Sequence, residues 1–382
     1  MIPRERVLHT LNHREPDRIP VDLGATVLTG IHKDAYRTLA ERLGLQLEIE
    51  IDNIMEQVAV VEPAFLDAGG IDKNFVRIDL NPPAGWTLEI EKEEGRSTYY
   101  DEWGIRWGMP DSGFYYDMVG HPLSKCENVS DLDRHAWPRG GDPARFEGLE
   151  YEAKALRQTS YAIIGGGRIG AGVLEQCCWM RGMERYFEDT ILNKPFSRRL
   201  AEKITEIQME CLEPFLKKAG SFIDVLTLGD DWCGQEGPLV SPAFLREVII
   251  PLTRVQIELI RRYTDAKIFF HSCGSVVELI PDMIDMGIDI LNPVQVTSKG
   301  MDPGILKEEF GKDLVFWGGV DTQKTLPFST PEEVREHTES LIQILAPGGG
   351  FVFSTNHNIQ SGTPPENLME MYRTVSRHGA YE

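Results

Sequence analysis

Nowhere in the 382 residues does an apolar run approach the ~20 residues that a membrane-spanning helix needs. The opening Met1-Ile2-Pro3-Arg4-Glu5-Arg6-Val7 lacks the apolar core of a secretory leader. Cysteine is scarce: six residues, at 126, 177, 178, 211, 233 and 273, are too few and too irregular for a disulfide scaffold. A reduced, cytoplasmic chain is the expectation. Positive charge is short as well. Lys and Arg number 39 against 60 Asp and Glu, a balance of −21. Such a surface repels nucleic acid and anionic membranes, and it disfavours polyanionic substrates. No low-complexity stretch or short repeat is present, and no G-x-G-x-x-G follows the first strand-like run. The Gly165-Gly166-Gly167-Arg168 turn has no Lys-Ser/Thr after it, so it is not a phosphate loop.

Apolar runs of strand length recur eight times: 18–23, 74–80, 160–165, 222–228, 266–270, 288–294, 314–318 and 350–354. Helical periodicity fills most intervals, at 34–43, 57–68, 186–217, 242–263, 276–286 and 330–345. Near-continuous apolar strands alternating with helices imply a parallel sheet covered on both faces. Eight of them in a chain of this size predict a single α/β domain over residues 1–382, a (β/α)8 TIM barrel. The rhythm breaks at 86–149. There, Thr87–Glu91 alternates like a half-buried strand, Gly95-Arg96 reads as a turn and Ser97–Trp107 as a second arm. A β-hairpin insertion rich in aromatics over the barrel mouth is expected, followed by a surface linker at 131–146.

Catalytic residues of such barrels gather at the C-terminal ends of the strands. Polar groups crowd those ends here: Asp230-Asp231-Trp232, His271-Ser272-Cys273, Asn292 and Gln295, Asp321, and Asn356-His357-Asn358. In an extended strand, residues i and i+2 face the same way. His271 and Cys273 therefore aim an imidazole and a thiol at one point, a half-site that borderline-soft zinc accepts. The plainer reading is a hydrogen-bonded histidine beside a packed cysteine. Gln176-Cys177-Cys178-Trp179 reads as helix packing.

Several motifs together resemble the uroporphyrinogen decarboxylase superfamily. They are Arg4-Glu-Arg-Val with Glu15-Pro-Asp-Arg-Ile-Pro20, His271-Ser-Cys273-Gly274, the stretch 287–296, and Phe316-Trp-Gly-Gly-Val-Asp321-Thr. Thr330-Pro-Glu-Glu-Val and Gly348-Gly-Gly-Phe with Gly362-Thr-Pro-Pro-Glu-Asn367 complete the pattern. The resemblance spans essentially the whole chain and implies the barrel. It is nearer the zinc-dependent, corrinoid-linked methyltransferase branch, because the arginine-bearing loop of true decarboxylases is replaced here by Asp22–Gly30, which has no arginine. That branch implies zinc held by His271, Cys273 and, at the position of a last cysteine, His357. It also implies a corrinoid (cobalamin) carried by a partner protein, and a small methylated O-, S- or N-methyl substrate as donor or acceptor. A homodimer is a further expected assembly. Asp231 and Asp321 are the candidate catalytic carboxylates. Arg168, Trp232, Asn292, Gln295, Asn356 and Asn358 are the candidate substrate contacts. Two other readings stay open: a decarboxylase-like lyase on a small carboxylated substrate, and a non-catalytic tetrapyrrole-binding protein.

Overall fold

The computed structural model describes residues 1–166 and 171–381. Its central sheet has seven parallel strands in the order Phe351–Val352, Val315–Trp317, Ile290–Asn292, Lys267–His271, Val225–Gly229, Ala162–Gly165 and Phe75–Ile78. Each corresponds to one of the apolar runs, and helices pack outside, giving an α/β barrel of the (β/α)8 kind. The strands are short and nearly all buried, as β-branched and aromatic runs covered on both faces must be.

The first apolar run differs from its expectation. Residues 18–23 form no ladder strand; Val21 makes a single parallel bridge to Phe353. Asp22 N–H donates to the Phe353 carbonyl and Phe353 N–H to that of Pro20. On the other side the Val21 carbonyl takes a side-chain bond from Asn74 Nδ2 at 2.9 Å, where a backbone rung would otherwise lie. The proline at position 20 has no N–H to give a rung, which limits pairing there. Ile19 N–H donates to the Gly379 carbonyl and Tyr381 N–H to that of Asp17, so residues 379–381 lie along the segment that leads into this seam.

The barrel interior is filled by Phe75, Ile164, Val225, Phe269, Ile290, Val315, Trp317 and Val352, among others. Ile268, Phe270, Leu291 and Phe316 belong instead to the core beneath the helices. Strand alternation then assigns Thr227, His271 and Asn292 to the interior face, two residues beyond Val225, Phe269 and Ile290. His271 pairs with Gly229 on one side and Asn292 on the other, so the three stand level at the strand ends.

The 57–68 periodicity resolves into the strand Val58–Ala59, paired with Ile51–Asn53, and the helix Pro63–Gly69. The 186–217 run divides at Asn193 into Met183–Leu192 and Lys194–Ala219. Pro195 explains the break, since proline is favoured in a first helical turn and not within one. The insertion is a four-stranded antiparallel sheet, Glu91–Glu93, Arg96–Tyr100, Arg106–Pro110 and Asp117–Gly120. Tyr99 and Trp107, stacked across two of its strands, are buried. The stretch read as a linker carries two short 3-10 turns, and Leu132 and Phe146 anchor it in the core. No helix among the described residues is long and apolar enough to cross a membrane.

Candidate metal centre and its two cavities

The side chains of His271, Cys273 and His357 converge, each offering a donor atom within 4.8 Å of the others. His271 Nε2 lies 3.3 Å from Cys273 Sγ. That is close to the ~3.5 Å edge of a tetrahedral site with zinc–nitrogen and zinc–sulfur bonds of ordinary length. The two imidazole rings stand 5.7 Å apart, edge to face.

Asn292 decides which nitrogen of His271 is free. Its Nδ2 donates to the Trp317 carbonyl at 2.9 Å, which turns Oδ1 toward His271 Nδ1 at 2.6 Å. An amide oxygen only accepts, so Nδ1 carries the proton and Nε2 keeps its lone pair facing Cys273. Burial holds the His271 pKa below its ordinary value, which favours the neutral, ligating form. Burial pushes the Cys273 thiol well up, and Asp231, Glu175 and Glu56 push it further. A thiol so placed ionises when a cation displaces its proton. Gly274 follows at φ 88, and a Cβ there would stand 2.4 Å from the Gly234 carbonyl oxygen, so the chain can turn away from the site only with glycine.

Two cavities flank the centre. The larger, about 890 Å³, lies beneath the insertion and is lined by Trp107, Tyr115, Met118, Cys273, Gln295 and Asn356, among others. The smaller, about 270 Å³, is lined by Thr227, Phe270, His271, Glu175, Asp231 and Gln256, among others. Met55, Glu56, Trp179 and His357 line both and form the wall between them.

The remaining expected site residues separate into distinct positions. Asp231 lines the smaller cavity; its Oδ1 accepts Cys273 N–H at 2.8 Å and stands 3.9 Å from His271 Nε2. Gln295 and Asn356 line the larger one, Gln295 Oε1 taking Gly274 N–H and Asn356 Oδ1 taking the Thr322 hydroxyl. Asn292 orients His271. Trp232 is fully buried against Phe270 and lines neither cavity. Asn358 bridges the loops below the wall: its Oδ1 accepts Gly30 N–H and its Nδ2 donates to Glu56 and to the Val27 carbonyl. Asp321 is buried, and its carboxylate accepts the N–H groups of Gln323, Lys324 and Thr325 at 2.8–2.9 Å. These contacts commit it to capping the short helix Thr325–Phe328, not to a cavity. Arg168 lies outside the described residues.

Two residues at the centre, Glu56 and Glu175, have no sequence signal that singles them out, and Asp230 from the fourth strand end stands beside them. Glu56 sits 4.0 Å from His357 Nε2. It is presented by a turn in which Asn53 Oδ1 caps Met55 and Glu56 N–H, with Gln57 held at φ 54. Glu175 faces the smaller cavity from the helix Val173–Arg181; burial, then Asp231 and Asp230, hold its carboxyl well above the ordinary value. Asp230 caps that helix through Leu174 and Glu175 N–H, and burial raises its pKa to about 6. A side chain at Gly172 would collide with Asp230 at 2.2 Å, which explains the glycine before that helix.

A barrel with histidine and cysteine donors gathered at its strand ends defines the class. Residues 140–378 match the family described as Uroporphyrinogen decarboxylase (URO-D), and the chain belongs to that family. A uroporphyrinogen decarboxylase of Anaeromyxobacter dehalogenans is 22% identical over 389 residues, covering 96% of both chains. One from Coxiella burnetii is 26% identical over 180 residues, 46% of each. Among solved structures, a methyltransferase from Methanosarcina mazei superposes with a TM-score of 0.63 at 17% identity over 99% of both chains, a likeness of fold.

Proposed function

We propose that the chain is a zinc-dependent methyltransferase, moving a methyl group between a small O-, S- or N-methyl compound and a corrinoid carried by a partner protein. The observation that carries this reading is the convergence of His271, Cys273 and His357. One thiolate and two imidazoles suit zinc, and three protein donors leave a fourth position for a substrate heteroatom. Bound there, zinc would act as a Lewis acid that lowers the pKa of a phenol, alcohol or thiol, while the corrinoid gives or takes the methyl group in an in-line displacement.

The chain's own residues do the rest. Asn292 keeps His271 Nε2 free of a proton. Asp231 holds the Cys273 backbone and is the carboxylate placed to exchange a proton with the heteroatom. Gln295 and Asn356 offer polar contacts in the larger cavity. Asp321 acts on the reaction indirectly, by fixing the loop that carries Thr322 and Gln323. Direction is not set by this arrangement, since the same site stabilises the heteroatom anion as product or as nucleophile.

Decarboxylation of uroporphyrinogen, the activity in the relatives' names, fits less well. The Asp22–Gly30 loop offers no arginine for substrate carboxylates, and the net charge is −21. The deciding experiment is metal analysis of the purified protein, with methyl transfer from a panel of methylated substrates to a corrinoid protein. Zinc at stoichiometric level and corrinoid-dependent transfer are expected. Rapid uroporphyrinogen decarboxylation, or no response to any corrinoid, overturns the reading.

A further inference from the structure

We propose that the smaller cavity seats the body of the methylated substrate, which is neutral or cationic, with its methyl group directed across the wall into the larger cavity. The inference rests on the methyltransferase reading and adds the location and charge class of the substrate. The first observation is the wall itself. His271 faces the smaller cavity, Cys273 the larger, and His357 both, so the donor set is open to each side. An in-line displacement places leaving atom, methyl carbon and acceptor on one line, so the two reactants approach the carbon from opposite sides. Two cavities meeting at one donor set supply that arrangement.

Size assigns the sides. A macrocycle presented by a protein needs the cavity of about 890 Å³ beneath the insertion, while 270 Å³ admits only a small molecule. The carbon–heteroatom bond breaks with its electron pair on the heteroatom and the acceptor supplies the pair for the new bond; a neutral donor leaves as an anion that takes one proton, a cationic donor as a neutral molecule. Lining chemistry gives the charge class. Glu56, Glu175, Asp230 and Asp231 face the smaller cavity, and among its described lining residues there is no lysine or arginine. Among the described lining residues, a carboxylate guest would meet four carboxyl groups, charged or protonated, and no cation. Thr227 and Gln256 give a neutral guest hydrogen-bonding partners, and Phe270 gives it an apolar face.

The test is calorimetric titration with phenol, the demethylated form of the simplest aryl methyl ether, on metal-free and cobalt(II)-loaded protein. Thr253→Phe fills the smaller cavity, with Thr227→Leu as a milder second variant; Gln235→Trp crowds the larger one. Phenol affinity is expected to fall at least tenfold in Thr253→Phe or Thr227→Leu and to stay within twofold in Gln235→Trp. 4-Hydroxybenzoate should bind at least tenfold more weakly than phenol. The reverse pattern, equal loss in all variants, no phenol binding, or preference for 4-hydroxybenzoate overturns the proposal. The two ideas fail separately: absence of a cobalt(II) visible spectrum sinks the metal reading, while the metal-free titrations still test the cavity.

Discussion

Asn292 holds His271 through a hydrogen bond at 2.6 Å, whereas Glu56 stands 4.0 Å from His357 Nε2 as a nearby carboxylate. Hydrogen-bonded partners fix ligand orientation, and their loss typically weakens metal binding ~10–100-fold. Asn292→Leu should therefore lower zinc affinity by about that factor in a chelator competition while the fold is retained by circular dichroism. Glu56→Gln, which keeps an acceptor near His357 Nε2, should lose less than Glu56→Leu. Cys273→Ser should lose the zinc altogether; unchanged metal content in that variant would refute the site. The His271–Cys273 pair was legible because strand alternation is a local rule that needs only the position of Phe269. Glu56 and Glu175 were not. They reach the centre from a positive-φ turn and from a helix whose cysteines read as packing, and neither position has a local pattern.

At the scale of elements, the barrel strands and most helices follow from hydrophobic period and caps. Thr330 accepts from Glu333 N–H while the Glu333 carboxylate takes Thr330 N–H, as the sequence Thr330-Pro331-Glu332-Glu333 anticipates. Thr330→Ala should cost about 1 kcal/mol in urea unfolding. The first strand was less legible, because whether a run of apolar residues completes a ladder depends on neighbours far along the chain. Position 20 is a proline in any case. The insertion contributes Trp107 and Tyr115–Met118 to the larger cavity, and Tyr115 Oη donates to Gln360 Oε1 at 2.5 Å across its rim. If the corrinoid enters there, Tyr115→Phe should alter the KM for the corrinoid protein more than it alters kcat with free cobalamin. Equal effects on both would mean that the contact is structural only.

For the molecule as a whole, buried carboxylates make stability depend on pH; Asp230 is one, and Asp22 is another. Asp22 accepts from Trp317 Nε1 and Ala25 N–H inside the barrel, yet burial outweighs these bonds and raises its pKa from 3.8 to about 6. The folded state then holds the proton more tightly than the unfolded chain. Its contribution is full below pH ~4 and is lost as pH rises through about 6, a swing of up to about 3 kcal/mol. Asp22→Asn should reduce the loss of stability between pH 5 and pH 7 in melting scans, leaving the share that Asp230 contributes. An unchanged difference between the two pH values would show that Asp22 titrates normally. The acidic surface adds a second dependence: a corrinoid protein that docks through a basic face should associate more slowly as salt is raised.

The seam at Val21 sets an order of events during synthesis. The first apolar run waits for Phe353, and Gly30 N–H finds its acceptor only in Asn358, 328 residues later. His357 falls in the same late stretch. A nascent chain thus cannot make the Val21 seam or assemble three donors until residues 353–358 have been made. A translation product that stops short of His357 would lack the third donor.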